Sequence, residues 1–193
     1  MALHYFRNIV AQTHIFKKLG IYIVLFLLVI PVYALSPCVC KITPTQIIKV
    51  NEVRDVYDNL NIYAVVGMTK SDPSSWVQTI ISENISITNN FAPVLISNTL
   101  GDVVVVWMYI DSFGICQIAA SILLHGTTAW YSATVSQGGW DARARIYDGS
   151  IDEKGNAIVQ WTGINVIDGS FAVLGATSSL STSTVWSNQF VIG

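Results

Sequence analysis

The stretch Asp152-Glu153-Lys154-Gly155-Asn156-Ala157-Ile158-Val159-Gln160-Trp161 reads as a turn that opens a strand carrying a tryptophan at its end. Aspartate at the head of a turn accepts backbone N–H groups ahead of it, and Gly155 suits a position of positive φ. Fifty-four residues earlier stands Asn98-Thr99-Leu100-Gly101-Asp102-Val103-Val104-Val105-Val106-Trp107, with the same turn opening the same strand. Trp76 and Trp130 are also 54 residues apart, and Trp130 and Trp186 are 56 apart. Downstream, Ile118-Ala119-Ala120-Ser121 matches Leu174-Gly175-Ala176-Thr177, each nine residues before the next Trp. The chain is a repeat.

Each unit divides into four short strands separated by turn residues. In the first full unit they are expected at 93–97, 102–107, 115–122 and 130–136, and in the second at 142–147, 156–161, 171–177 and 186–192. Val103 to Val106 is apolar without alternation, the pattern of a strand buried on both faces. Upstream, Asp58-Asn59-Leu60-Asn61-Ile62-Tyr63-Ala64-Val65-Val66 reads as a degenerate copy of the turn-plus-strand element, with Asn61 where glycine stands elsewhere. Residues 1–34 are expected to be a signal segment, 35–56 an N-terminal extension, 57–90 a degenerate partial blade, and 91–136 and 137–193 two full blades.

Four-stranded units of this length with a recurring Trp are the pattern of β-propeller blades. The phrase Asp152-x-x-Gly155-Asn156-Ala157-x-x-x-Trp161 resembles a blade repeat of exported bacterial proteins, a resemblance that covers residues 76–193. It is more distantly similar to the Asp-box of sialidases, Ser-x-Asp-x-Gly-x-x-Trp, in which Ser150-Ile151-Asp152 fits and Gly155 falls one residue late. The expected fold is all-β: tandem four-stranded antiparallel blades of a propeller-like array. The 159 residues from Leu35 onward make about three units, so the array is expected to be incomplete or open. Open arrays expose sheet edges, through which copies can associate.

The N-terminus sets the expected address. Arg7, Lys17 and Lys18 precede the apolar run Leu19 to Ile30, and Pro31 and Ala34 supply the break and the small residue of a cleavage site. This is the order of a secretory signal, with Leu35 as the new N-terminus. An uncleaved membrane anchor is the alternative, although the run is short of the roughly 20 residues a span needs. Leu35-Ser36-Pro37-Cys38 approaches a lipoprotein box but departs from it at Pro37. Removing the leader leaves 7 basic against 12 acidic residues, a balance that disfavours nucleic acid as a partner.

Residues that might carry chemistry are few. Of the three cysteines, Cys38 and Cys40 are too close to pair with each other, so one of them is expected to bridge to Cys116 in an oxidising compartment. His125 lies in a turn, where a Ser/His/Asp arrangement would need Asp102 or Asp111 to orient it. Asp148, Ser150 and Asp152 alternate as calcium ligands do, but Glu153 and Val159 break the EF-hand pattern, and no metal or cofactor is expected. Asp152 and Glu153 are the carboxylates a glycosidase reading would use. Trp76, Trp107, Trp130, Trp161 and Trp186 recur with the repeat and read as packing, whereas Trp140 has no counterpart and is the candidate for an exposed contact. The reading is a non-catalytic exported repeat protein that binds a protein or glycan at the cell surface. The alternatives are a sialidase-like hydrolase and a relic of a longer propeller.

Overall fold

The structure, a computed structural model, describes residues 38–41, 46–68, 70–83, 85, 89–144, 148–179 and 185–192. The expected signal segment, residues 1–34, lies outside the described residues. Among the described residues there is no helix long and apolar enough to cross a membrane.

Three antiparallel sheets follow one another along the chain. Sheet A comprises β1 (Cys38–Lys41), β2 (Gln46–Arg54), β3 (Leu60–Met68) and β4 (Val77–Ile80), in that spatial order. Sheet B comprises β5 (Asn90–Ser97), β6 (Val103–Ile110), β7 (Cys116–Leu123) and β8 (Trp130–Thr134), again in chain order. Sheet C runs β10 (Asp148–Ile151), β11 (Asn156–Asn165), β12 (Phe171–Ser179), β13 (Phe190–Val191), with β9 (Trp140–Asp141) paired to the far end of β11. The fold is all-β, a series of blade-like meanders of the propeller type.

The hairpins share one turn chemistry. Asp152 Oδ1 accepts the backbone N–H of Lys154 and of Asn156, and Gly155 takes φ 78°. Asn98 Oδ1 likewise accepts from Gly101 and Asp102, with Gly101 at φ 102°. The device recurs in the second hairpin of other sheets. Asp111 caps Phe113 and Ile115, and Asp55 caps Tyr57 and Asn59, with Asp58 in the positive-φ position. An Asx turn of this kind serves any tight hairpin, whichever strands it joins.

That generality explains a shift of register from the sequence reading. The turn at Asp55–Asn59 joins β2 to β3, so it corresponds to Asp111–Ile115 and not to the first hairpin, with which Asp58–Val66 was aligned. Residues 38–54, read as an extension, supply β1 and β2 and complete sheet A as a four-stranded unit. Counting back four residues from the second turn places Asn51 of β2 where Trp107 and Trp161 stand in the later sheets. Three further boundaries move. Residues 142–147 were expected to be a strand, but Ala142–Ala144 form a 3-10 turn begun by Asp141, whose Oδ1 accepts the Arg143 N–H, and the strand starts at Asp148. The last strand is confined to Phe190–Val191, so Trp186 precedes it by four residues. Trp107 and Trp161 lie within their strands, which continue to Ile110 and Asn165.

Strand alternation sends each sheet two ways. Ile48, Val50, Ile62 and Ala64 of sheet A pack with Val103, Val105 and Trp107 of sheet B in one core. The opposite face of sheet B, with Val104, Val106, Ile118 and Ile122, packs with Ala157, Val159, Trp161 and Leu174 of sheet C in a second core. Sheet B is thus covered on both sides, and β6 from Val103 to Trp107 is buried throughout. Each sheet offers a leading face to the sheet before it and a trailing face to the sheet after it. Stacking buries what a single sheet leaves wet.

Candidate functional site

A concavity of about 580 Å³ lies where sheets B and C meet, along β8 and the segment 185–188. β8 is the last strand of sheet B, so its outer edge pairs with no strand among the described residues. Trp130 and Trp186 both border the cleft; Trp130 pairs with Leu123 and packs against the A–B core, and Trp186 packs in the B–C core. Tyr131, on the opposite side of β8, is 45% exposed.

Hydroxyls and amides complete the lining. Gln137 ties β8's end to the segment after Trp186: its backbone N–H donates to Gln189 Oε1 at 3.0 Å and its side-chain amide N–H to Asn188 Oδ1 at 3.0 Å. Ser136 is buried, donating to Gln117 Oε1 at 2.6 Å and accepting the Ile118 N–H at 2.8 Å. On the side of β8 that faces sheet A, Thr134 Oγ1 lies 3.0 Å from the Tyr109 hydroxyl, and Ser132 donates at 2.6 Å to the carbonyl of Ile81, the residue after β4. Ser187 closes the far side through bonds with Thr177. Among the described residues the lining contains aromatic rings, hydroxyls and amides, and no carboxylate, histidine, lysine or arginine.

The residues singled out in the sequence fall elsewhere. Trp140 is half-buried, pairs with Asn165 and lies over Gly163, where an added Cβ would meet its ring at 3.4 Å; it packs and does not line the cleft. Cys116 is buried in the B–C core with a free thiol, so the expected bridge to Cys38 or Cys40 is not formed there. Burial, with the nearby Asp141 carboxylate, pushes that thiol up to about 11. His125 meets Asp102 through its backbone N–H at 2.8 Å, and the imidazole takes no part in that bond. Asp152 is held below the usual carboxylate range by the Asn156 side chain and backbone and by the Lys154 N–H, which keeps it ionised. Glu153 accepts the Thr99 hydroxyl at 2.6 Å, across from sheet C to sheet B. Both carboxylates are therefore engaged in turn and inter-sheet bonds. No three metal-ligating side chains converge among the described residues.

No protein-family model matches the chain, and no curated protein does. Among solved structures it is similar to a Hadza microbial sialidase, with a TM-score of 0.49 and 12% identity over 79% of this chain. It is similar also to an endo-arabinase from Bacteroides thetaiotaomicron (0.47, 14% identity, 81% of this chain) and to a thermostable family-43 glycoside hydrolase (0.43, 12%, 80%). The chain spans 36%, 61% and 53% of those three proteins respectively.

Sequence reasoning passed over Tyr131, Gln137 and Asn188. The available signal was local: Trp130-Tyr131 is an aromatic pair at the start of an edge strand, and amphipathic aromatics on an edge suit a wet contact. Asn188 carried no such signal, because only folding brings it beside Gln137.

Proposed function

We propose that the chain is a non-catalytic binding protein whose cleft between sheets B and C takes a neutral, hydroxyl-rich ligand of the glycan class. The observation that carries this reading is the lining itself. Aromatic faces offer an apolar platform to the C–H faces of a sugar ring, while amides and hydroxyls pair with its hydroxyls. A lining without charged side chains favours an uncharged ligand over a phosphate or a sialic acid. Hydrolysis of a glycosidic bond needs an acid and a second carboxylate facing the scissile bond, and no carboxylate among the described residues lines this cleft. The outer edge of β8 adds main-chain donors and acceptors to the same groove.

We place this binding at the cell surface or outside the cell, on the expected signal segment, and intact-mass analysis of the exported product tests that address: loss of Met1–Ala34 is expected. The binding reading is tested by calorimetric titration of the purified chain with a panel of neutral oligosaccharides. Binding that falls at least tenfold in Tyr131→Ala, with the melting curve unchanged, is the expected result. Release of reducing sugar from any member of the panel would replace this reading with a hydrolase. The absence of binding across the panel would remove it.

A further inference from the structure

We infer that two copies of the chain stack head to tail, the trailing face of sheet C in each copy covering the leading face of sheet A in the other, to close a ring of six sheets. The stacking rule is already fixed twice within one chain. The face of β6 that carries Val103, Val105 and Trp107 covers sheet A, and the corresponding face of β11, with Ala157, Val159 and Trp161, covers sheet B. By the same alternation, β2 turns Lys49, Asn51 and Val53 away from sheet B, and β11 turns Ile158, Gln160, Thr162 and Ile164 away from it. These two faces are the ones the rule would bring together. Among the described residues they are partly open: Val53 and Ile164 are 37% and 39% exposed, and Phe171, paired with Ile164, is 62% exposed.

Three observations favour a second copy as the occupant. The interface continues one that the chain already uses, sheet face on sheet face in a fixed direction. Charge is complementary, with Lys49 on the leading face, its Nζ 4.7 Å from the Trp76 ring centroid, and Asp148 on the trailing face, paired with Gln160. Both faces are more polar than the internal ones, with Lys49 and Asn51 on the leading face and Gln160 and Thr162 on the trailing face. Mixed faces of this kind suit a contact between chains that also exist apart. Two copies supply six sheets, inside the four to eight at which propellers close. A two-fold axis makes the two junctions identical, so closure leaves no face over.

The test is the mass of the purified full chain by sedimentation equilibrium and native mass spectrometry. A species of twice the chain mass, constant over a hundredfold range of concentration, is expected. Thr162→Arg on the trailing face and Val65→Arg on the leading face should each give the mass of one chain. Mixed together, they should recover a species of twice that mass, because one unmodified trailing face then meets one unmodified leading face. If either variant fails to melt cooperatively, Lys49→Glu and Asp148→Lys take their place, each lowering the dimer fraction alone and restoring it when combined in one chain. A single-chain mass for the wild type overturns the inference, and so does a mass that rises with concentration. A variant that stays dimeric alone would mean a face-to-itself contact and also overturns it, as does failure of two folded variants to complement.

Discussion

Trp107 and Trp161 occupy matching places in β6 and β11, and both are essentially inaccessible to solvent, yet phenylalanine should cost far more at the first than at the second. The loss of ring volume is common to both sites. What differs is the indole N–H. Trp107 Nε1 donates to Asn90 Oδ1 at 2.9 Å, and Asn90, itself fully buried, donates onward to the Leu60 carbonyl of sheet A at 3.1 Å. Removing the indole N–H breaks a hydrogen bond to a buried amide oxygen, which costs about 1–3 kcal/mol. Trp161 Nε1 has no partner among the described residues, so phenylalanine there removes an unsatisfied donor. The two variants should differ by about 2 kcal/mol, or roughly thirtyfold in the unfolding constant. Urea unfolding followed by far-ultraviolet circular dichroism gives the midpoints and the slopes needed to compare them. A double-mutant cycle of Trp107→Phe with Asn90→Ala should show a coupling of about 1 kcal/mol, since each change breaks the same bond. If Trp161→Phe proves as costly as Trp107→Phe, or if the cycle is additive, the account of Asn90 as a clip between sheets A and B is wrong.

Gly67→Ala places a Cβ 2.0 Å from the Trp76 ring, so the indole must leave its position over β3 and abandon Lys49; a red shift of tryptophan emission and a loss of about 1–3 kcal/mol are expected. Cys116 should resist a thiol reagent at about pH 8 in the native protein and react at once in denaturant, because burial suppresses both access and thiolate; rapid native labelling would contradict its placement. Glu52 is half-buried against sheet B with its pKa raised by desolvation, though Ala92 donates its N–H to it. A raised carboxyl favours the fold when protonated and works against it as pH rises through its folded pKa. Glu52→Gln keeps an acceptor for Ala92 and removes the charge, so its gain in melting temperature over wild type should grow from about pH 4 to about pH 7; a gap independent of pH would refute the desolvation argument.

How much of this was legible depended on which residues carry the repeat. In sheets B and C a tryptophan follows an Asx turn at fixed spacing, and from those anchors β6, β7, β11 and β12 were placed to within a few residues. Sheet A lacks the anchor. Asn51 stands at the tryptophan position, and its most visible turn, Asp55–Asn59, has a chemistry shared by hairpins of both kinds, so the alignment settled on the wrong one. The start of sheet C was hidden for a local reason, since Asp141 caps a 3-10 turn that no periodicity announces. The cleft was least legible of all. It draws on residues 130–137 and 185–188, about fifty positions apart, and their meeting is a consequence of stacking that spacing within one unit does not reveal. Trp140 looked exposed because it has no counterpart in the repeat, but it fills space over Gly163.

The claim on which both the cleft and the ring rest is that the three sheets stack in one direction, each leading face on the trailing face before it. Methyl NOE spectroscopy of a chain labelled at isoleucine, leucine and valine tests it most directly. Ile48 and Ile62 should show cross-peaks to Val103 and Val105, and Val104 and Val106 should show them to Val159 and Leu174. Cross-peaks from Ile48 to Val104 or Val106, or from Val103 to Val159, would mean that sheet B is turned over in the stack, and the account would fall.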